Sequence, residues 1–173
     1  MSHKGFTLIE LLFTLLIITI LAALTAPAFL RFIQGLRVQT TMWNLLEATQ
    51  ITRSYAIKAN SRASMRANPT WQDGWVIFYD DNHNGQPDST EKILQSHDKV
   101  SDGVNIEGNQ PVAQYISYLG SGESRWATGR RGGGFQAGTL TICPDQEGEG
   151  YELVLARGGR VRKVELTPEE CGD

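Results

Sequence analysis

Cysteine and histidine are scarce in this chain. Its 173 residues include two cysteines and three histidines, which are His3, His83 and His97. This distribution provides neither the paired Cys and His ligands of a zinc site nor a Ser-His-Asp or Cys-His arrangement for nucleophilic catalysis. The sequence therefore predicts that the protein is not an enzyme, has no catalytic residue and uses no metal or other cofactor.

An excess of positive charge is also missing. The formal net charge is −3 and the sequence pI is about 5.6, so the composition gives no reason to expect nucleic-acid binding by the molecule as a whole. Any such activity has to come from a local patch. The length allows one modest domain in addition to a membrane segment.

The longest stretch without a charge runs from Leu11 to Leu30 and contains 20 residues. As a helix this stretch can cross a hydrocarbon core of about 30 Å. A secretory signal peptide is the alternative, and Ala22 to Ala26 resemble its small-residue cleavage site. However, the apolar pattern continues helically past Pro27, so we predict a transmembrane helix over residues 6–30.

The orientation of this helix determines how the cysteines are interpreted. Lys4 and the short N-terminal segment favour a cytoplasmic N-terminus, with everything after about residue 31 outside the cytoplasm. In that oxidising compartment a disulfide between Cys143 and Cys171 is expected. Two unpaired buried thiols are the alternative.

Glu10 is the only charged residue between Lys4 and Arg31. An ionised carboxylate in hydrocarbon costs several kcal/mol, so such residues are rare and usually functional. A charge tolerated near the interface of a simple membrane anchor is the other interpretation.

The residues around Glu10 resemble a known processing site. Gly5-Phe6-Thr7-Leu8-Ile9-Glu10, after a short polar leader, is similar to the prepilin peptidase site of type IV pilins and pseudopilins. The resemblance implies that a leader of residues 1–5 is removed after Gly5 and that Phe6 is N-methylated. It also implies that Glu10 pairs with the Phe6 amine of a neighbouring subunit, which offsets much of the cost of burying either charge.

This resemblance also implies partners: prepilin peptidase, the inner membrane, and other pilin or pseudopilin subunits. In pilins a proline at the place of Pro27 allows the helix to bend or partly melt during packing. A mild kink without a role is the other possibility for Pro27.

Downstream, the helical pattern continues over residues 31–60 as an amphipathic helix. Its apolar stripe consists of Val38, Met42, Leu45, Ala48, Thr52, Tyr55 and Ala59. After Asn68-Pro69 the pattern predicts strands separated by turns. The candidate strands are 74–79, 92–95, 104–106, 115–118, 138–143, 151–155 and 160–166. We therefore predict an α+β fold in which one long N-terminal helix packs on an antiparallel β-domain over residues 61–173.

The same part of the chain resembles the GspH/FimT group of minor pilins and pseudopilins. The resemblance rests on Arg53-Ser54-Tyr55-Ala56, on Trp75 to Asp80, on the Gly138 to Cys143 strand and on the turn at Gly159. It implies a type IV pilin-like fold for the whole chain.

The segment from Asp80 to Glu91 matches the spacing of a twelve-residue calcium loop, with Gly85 at the sharp turn. Its flanks, however, are predicted strands instead of helices. Runs of Asp and Asn also form ordinary turns, because their side chains bond the local backbone. A loop of this kind recurs between two strands in the GspH/FimT group, which favours a turn, and we predict no metal site.

Four cations lie close together near the end of the chain: Arg157, Arg160, Arg162 and Lys163. Strand alternation predicts that Arg160 and Arg162 share an exposed face, where they suit successive phosphates. The same alternation buries Val161, so Val164 and Leu166 then need a phase slip near Lys163, and a bulge or sharp twist there is one way to provide it. Further cations on a glycine-rich loop could widen the patch: Arg125, Arg130 and Arg131.

Gly159-Arg160-Val161-Arg162 resembles the GRxR motif of the FimT minor pilins that bind DNA during natural transformation. The resemblance implies binding of double-stranded DNA, with Arg162 as the residue that distinguishes the DNA-binding version. The alternative is a solvated strand whose cations pair with nearby carboxylates, those of Glu165, Glu169 and Glu170.

Two functions within this group remain open. One is a type IV pilus minor pilin, similar to FimT or FimU, which initiates the pilus or lies at its tip and takes up DNA. The other is a minor pseudopilin of a type II secretion system without DNA binding. A membrane-anchored binding protein that never assembles would predict no processing after Gly5.

Overall fold

The computed structural model describes residues 6–130 and 132–172. Its first element, α1 (Leu8–Ala59), contains 52 residues and runs as one helix through Pro27. This helix is long and apolar enough to cross a membrane, and its residues from Phe6 to Phe32 have no cover from the rest of the chain. The leader at 1–5, with Lys4 and Gly5, lies outside the described residues.

The second half of α1 carries a buried face. It comprises Val38, Thr41, Met42, Leu45, Leu46, Ala48, Thr49, Thr52 and Ala56. Five members of the predicted stripe are among them, whereas Tyr55 is half-buried and Ala59 is exposed. Burial therefore ends one turn before the helix does. The helix stops at Asn60, which takes a left-handed conformation (φ 48°) typical of a helix C-terminus.

Within the described part of the chain, eight strands follow in two antiparallel sheets. The first sheet has the order β3-β2-β1-β5 and the second has the order β4-β6-β7-β8. The strands of the first sheet are β1 (Ala63–Ala67), β2 (Trp75–Tyr79), β3 (Ile93–His97) and β5 (Tyr115–Tyr118). Those of the second are β4 (Val104–Gly108), β6 (Gly138–Pro144), β7 (Gly150–Leu155) and β8 (Val161–Leu166). A short helix, α2 (Pro168–Cys171), ends the described chain.

Both sheets pack on the buried face of α1. In the first sheet, Met65 on β1 lies opposite Ile77 on β2 and Ile116 on β5, and all three are buried. In the second sheet, the corresponding inward side chains include Leu140 and Leu153. The predicted α+β architecture, a long helix on an antiparallel β-domain, is confirmed.

One strand was absent from the prediction. The chain enters the first sheet with β1, before Asn68-Pro69, and not after it. The segment Ala63-Ser64-Met65-Arg66-Ala67 consists largely of small and polar residues with weak strand preference. It forms a strand because β2 and β5 pair with it on both sides.

The expected disulfide joins Cys143, near the end of β6, to Cys171 in α2, with a Cα–Cα distance of 5.7 Å. It ties the last described element to the second sheet. On the chain-entropy model, a cross-link over a separation of 28 residues stabilises the fold by about 3–4 kcal/mol. Gly150 passes directly under the two sulfur atoms, where a side chain would collide with Cys171.

Candidate functional site

Glu10 lies in the first turn of α1, which begins with a reciprocal cap. The Thr7 hydroxyl accepts a hydrogen bond from the Glu10 amide at 3.3 Å, and the Glu10 carboxylate accepts one from the Thr7 amide at 3.3 Å. The sequence pattern Thr-x-x-Glu is the usual signal for such a capping box. The carboxylate is therefore bonded to Thr7, the residue that follows Phe6. Phe6 would carry the new amine after cleavage behind Gly5.

The cationic segment forms the tight turn between β7 and β8. The Ala156 amide donates to the Arg160 carbonyl at 2.8 Å, and the Gly159 amide donates to the Ala156 carbonyl at 2.8 Å. Gly159 has a φ of 78°, in the left-handed region that favours glycine. We call the segment 156–162, which includes the first two residues of β8, the arginine turn.

Three arginines project from the arginine turn into solvent. Arg157, Arg160 and Arg162 are all exposed. Arg160 and Arg162 alternate with Val161, so they lie on the same face of the strand. Among the described residues, no carboxylate lies within ion-pair distance of any of the three guanidinium groups.

Lys163 lies on the other face of β8. It is opposite Leu153, whose side chain is buried towards α1. Its ammonium group pairs with Glu165 at 2.8 Å, and this hydrogen bond raises the pKa of Lys163. The same group lies 5.2 Å from the ring centre of Tyr151 and 6.0 Å from that of Trp43. Lys163 is therefore separated from the arginines that the sequence grouped with it.

The expected bulge near Lys163 is wrong. Pairing between β7 and β8 runs in continuous register from Leu155 and Val161 to Gly150 and Leu166. No bulge is needed because Val161 is only half-buried, while Leu166 is buried on the opposite face, beside the disulfide-linked end of the sheet.

The acidic residues near the turn have other partners or other positions. Glu165 pairs with Lys163. The Glu170 carboxylate caps α2 by accepting from the Thr167 amide at 2.8 Å, and this bond lowers the pKa of Glu170. Glu152 does lie on the same face as Arg162. It is diagonal to Arg162, because Arg162 pairs with Val154 and Glu152 pairs with Val164. Among the described residues, Arg157, Arg160 and Arg162 therefore form none of the ion pairs that the alternative interpretation predicted.

The glycine-rich loop contributes less than expected. Arg125 stacks its guanidinium over the Phe135 ring at 3.9 Å, pairs with Glu123 at 3.1 Å and donates to the Gly133 carbonyl. These contacts use it to hold the loop together. Arg130 is exposed, and Arg131 lies outside the described residues.

Arg53 is a residue whose role the sequence did not reveal. Its Nε donates to the Gly122 carbonyl at 2.8 Å and its Nη2 donates to the Gly158 carbonyl at 3.2 Å. It thereby ties α1 to two separate turns, one of which is the arginine turn. One feature of the sequence could have indicated this role: Arg53 directly follows Thr52, which lies on the buried face of α1. An arginine at the edge of a buried face usually has a polar partner in the fold.

The loop that resembles a calcium site is built around a buried carboxylate. Asp80 is fully buried and accepts hydrogen bonds from the Ser64 hydroxyl at 2.9 Å and from the Asn84 and Gly85 amides at 2.9 and 3.0 Å. Glu91 accepts from the Asp81 amide at 2.9 Å. The loop's own donors therefore occupy these oxygens, as the turn interpretation predicts. No group of three acidic, His or Cys side chains within 6–130 and 132–172 is placed to hold a metal ion.

Arg62 lies beside this carboxylate and is also buried. Its guanidinium donates to His83 Nδ1 at 3.2 Å, to the Ser117 hydroxyl at 2.6 Å and to the Arg125 carbonyl at 3.1 Å. Burial lowers the pKa of Arg62, and the charge of Asp80 acts in the opposite direction. Arg62 and Asp80 together link the Asp80 to Glu91 loop and the start of the glycine-rich loop, at Arg125, to the outer face of the first sheet.

Replacing Asp80 with Ala is expected to destabilise the domain strongly. The Ser64 hydroxyl and the Gly85 amide lose their acceptor inside the protein, and each unsatisfied group costs about 1–3 kcal/mol. The buried Arg62 also loses a neighbouring opposite charge, which adds to the cost. A loss of at least about 3 kcal/mol corresponds to a fall in Tm of roughly 6–12 °C. Asp81→Asn, which changes an exposed neighbouring carboxylate, is the matched control and should leave Tm unchanged. Millimolar calcium or EDTA should not move the wild-type melt; a rise with calcium would contradict the turn interpretation.

Comparison with known proteins gives two family matches. Residues 44–159 match the family model of the type II transport protein GspH, and residues 1–26 match the prokaryotic N-terminal methylation motif. No curated protein matches the chain.

Among solved structures, the chain is similar to the type IV minor pilin FimU of Pseudomonas aeruginosa in two crystal forms. The P21 form has a TM-score of 0.57 at 19% identity, covering 76% of this chain and 90% of FimU. The P65 form has a TM-score of 0.54 at 19% identity, covering 73% of this chain and 91% of FimU. This likeness shows a shared fold.

Proposed function

Because the chain belongs to the GspH family, a family of pilin-like filament subunits and not of enzymes, we propose that it is a minor pilin of a type IV pilus that binds double-stranded DNA. α1 anchors it in the inner membrane, with the N-terminus in the cytoplasm and the β-domain in the periplasm. Prepilin peptidase removes residues 1–5, and the mature chain then joins other pilin subunits near the start or tip of the filament.

The assembly part of this proposal is supported by the first half of α1. Its residues from Phe6 to Phe32 are exposed in the isolated chain, so they are free to pack against lipid or against the helices of neighbouring subunits. From Phe6 to Leu30, Glu10 is the one charged side chain on this surface. Pairing with the Phe6 amine of another subunit gives both charges a partner.

The DNA-binding part rests on one observation: three exposed guanidinium groups, without carboxylate partners among the described residues, lie together on a tight turn. Guanidinium groups bind phosphate oxygens in a bidentate manner and are hard to replace with other cations in this role. The turn is bonded to Arg53, about 35 Å beyond Leu30 along α1. The site is thus at the membrane-distal part of the helix, where a ligand from outside can reach it.

The surroundings of the turn favour the phosphate backbone of a duplex over single-stranded bases. Recognition of single strands uses exposed aromatic rings on which bases stack. Here Trp126 packs edge-on against Tyr115, with ring centres 6.2 Å apart. The Arg125 guanidinium occupies one face of Phe135, whose side chain is otherwise partly exposed. We therefore expect binding without strong sequence preference and with a marked dependence on salt.

A minor pseudopilin of a type II secretion system is the second candidate. It is favoured by the match to the GspH family model and by the net charge of −3. Such a subunit has no need for an exposed arginine turn, and DNA binding therefore separates the two candidates.

The test is titration of labelled duplex DNA of random sequence with the full chain in detergent micelles. We expect binding at about 50 mM salt that weakens as salt rises. If all three arginines contact phosphates, log K falls with log salt with a slope of about −3. Absence of binding at low salt would contradict the pilus DNA function and leave the secretion candidate.

A further inference from the structure

The arginine turn is joined to the rest of the fold at a point where three segments meet. These are the last turns of α1, the turn that follows β5 and the arginine turn itself. Arg53 is the side chain that bonds to both turns, through the Gly122 and Gly158 carbonyls. Gly158 lies between Arg157 and Arg160 in the sequence, so this bond holds the backbone that carries two of the proposed DNA-binding side chains.

The packing at this point is close. Gly122 and Gly159 both have left-handed φ values, of 80° and 78°. A Cβ atom on Gly159 would collide with the Gly122 carbonyl and would lie 3.2 Å from Arg53 Nε. The two turns therefore touch backbone to backbone, and the guanidinium of Arg53 lies along the contact.

A second side chain, Ser124, lies against the turn on its other side. The Ser124 hydroxyl lies 2.6 Å from the Gln136 carbonyl and 3.0 Å from the Ala156 carbonyl. Ala156 is the first residue of the turn. Arg53 and Ser124 therefore contact the backbone on both sides of Arg157, at Gly158 and at Ala156.

From this geometry we infer that Arg53 is a positioning residue, which fixes the arginine turn so that Arg157 and Arg160 are presented to phosphates in one arrangement. This inference rests on the proposed DNA function. A fixed turn loses less conformational freedom on binding than a mobile one, so the same contacts give a tighter complex. Arg53 itself is half-buried and bonds to two carbonyls, so its role is exerted through the backbone of the turn.

The decisive variant is Arg53→Lys, because it keeps the positive charge but cannot bridge two carbonyls with a planar fork. Lys58→Gln is the control, since it removes an exposed charge from the same end of α1 without a contact to the turn. Both are measured as full chains in detergent, by hydrogen exchange of the Ala156 and Gly159 amides and by salt-dependent titration of duplex DNA. The melting temperature reports whether each variant is folded.

For Arg53→Lys we expect exchange at the two amides at least about tenfold faster than in the wild type and DNA binding about three- to tenfold weaker. The salt slope should be unchanged, because no phosphate contact is removed. Lys58→Gln should leave exchange at the turn unchanged.

Unchanged exchange in Arg53→Lys would overturn the inference, whatever the DNA result. Wild-type affinity with faster exchange would also overturn it, because the turn would then be free to move without effect on binding. If the wild-type chain does not bind DNA, the proposed function fails. A third variant, Arg53→Gln, lacks the positive charge. If it reduces the salt slope by about 1 while Arg53→Lys binds DNA like the wild type, then Arg53 contacts a phosphate directly and is not a positioning residue.

Discussion

Glu10→Gln is expected to leave the chain cleaved and inserted in the membrane but to exclude it from filaments. Glutamine can replace glutamate in a capping box, so the bond to the Thr7 amide is kept and only the charge is lost. The amine of Phe6 on the neighbouring subunit then has no counter-ion in an apolar setting. Removing one partner of a buried ion pair costs about 3–5 kcal/mol, which corresponds to more than about a hundredfold loss of incorporation.

The measurement compares the amount of the subunit in sheared filaments with the amount in the membrane, in cells that lack the chromosomal copy. Thr7→Val is the matched control, because it removes the hydroxyl of the cap and keeps the carboxylate. It should weaken the start of the helix by about 1 kcal/mol and still assemble. Normal recovery of Glu10→Gln in filaments would contradict the pairing.

The second large effect is expected from changing both Arg160 and Arg162 to Gln, which should weaken the binding of duplex DNA. Each guanidinium that contacts a phosphate releases about one counter-ion, so the slope of log K against log salt should become shallower by about 2. At about 50 mM salt we expect affinity for duplex DNA to fall more than about tenfold. Both side chains are exposed, so the fold and its Tm should be unaffected.

The chain offers two controls for this measurement. Lys163→Gln removes a cation from the same strand, but one that faces α1 and pairs with Glu165; its salt slope should stay that of the wild type. Arg31→Gln with Lys58→Gln removes the same total charge from exposed positions on α1. Equal loss in this second pair would show a general charge effect and contradict a localised site.

Much of the architecture could be predicted because it depends on local pattern. The long apolar stretch at the N-terminus and the run of apolar and aromatic residues from Trp75 to Tyr79 are each readable over a few residues. β1 could not be predicted in this way. Its residues have weak strand preference, and its position is set by partners that lie about 10 to 50 residues further along the chain.

The candidate site was predictable to a smaller degree. Alternation predicts that Arg160 and Arg162 share a face, but it does not say which cation lies near an acid. The position of Lys163 depends on Trp43 and Tyr151, which come from other elements. Similarly, the Asp and Asn spacing at Asp80 suits either a metal or a turn. The donors that reach Asp80, from Ser64 and from the loop backbone, favour the turn, and they are visible only in the fold.

The most direct test of the whole account is the mass of the N-terminal peptide of the mature chain, taken from the membrane and filament fractions of the cells that make it. We predict a peptide that begins at Phe6 and carries one methyl group on its amine. A mature chain that still carries residues 1–5 has no amine at Phe6 for Glu10 of a neighbour to bind, and this result would contradict the interpretation as a filament subunit.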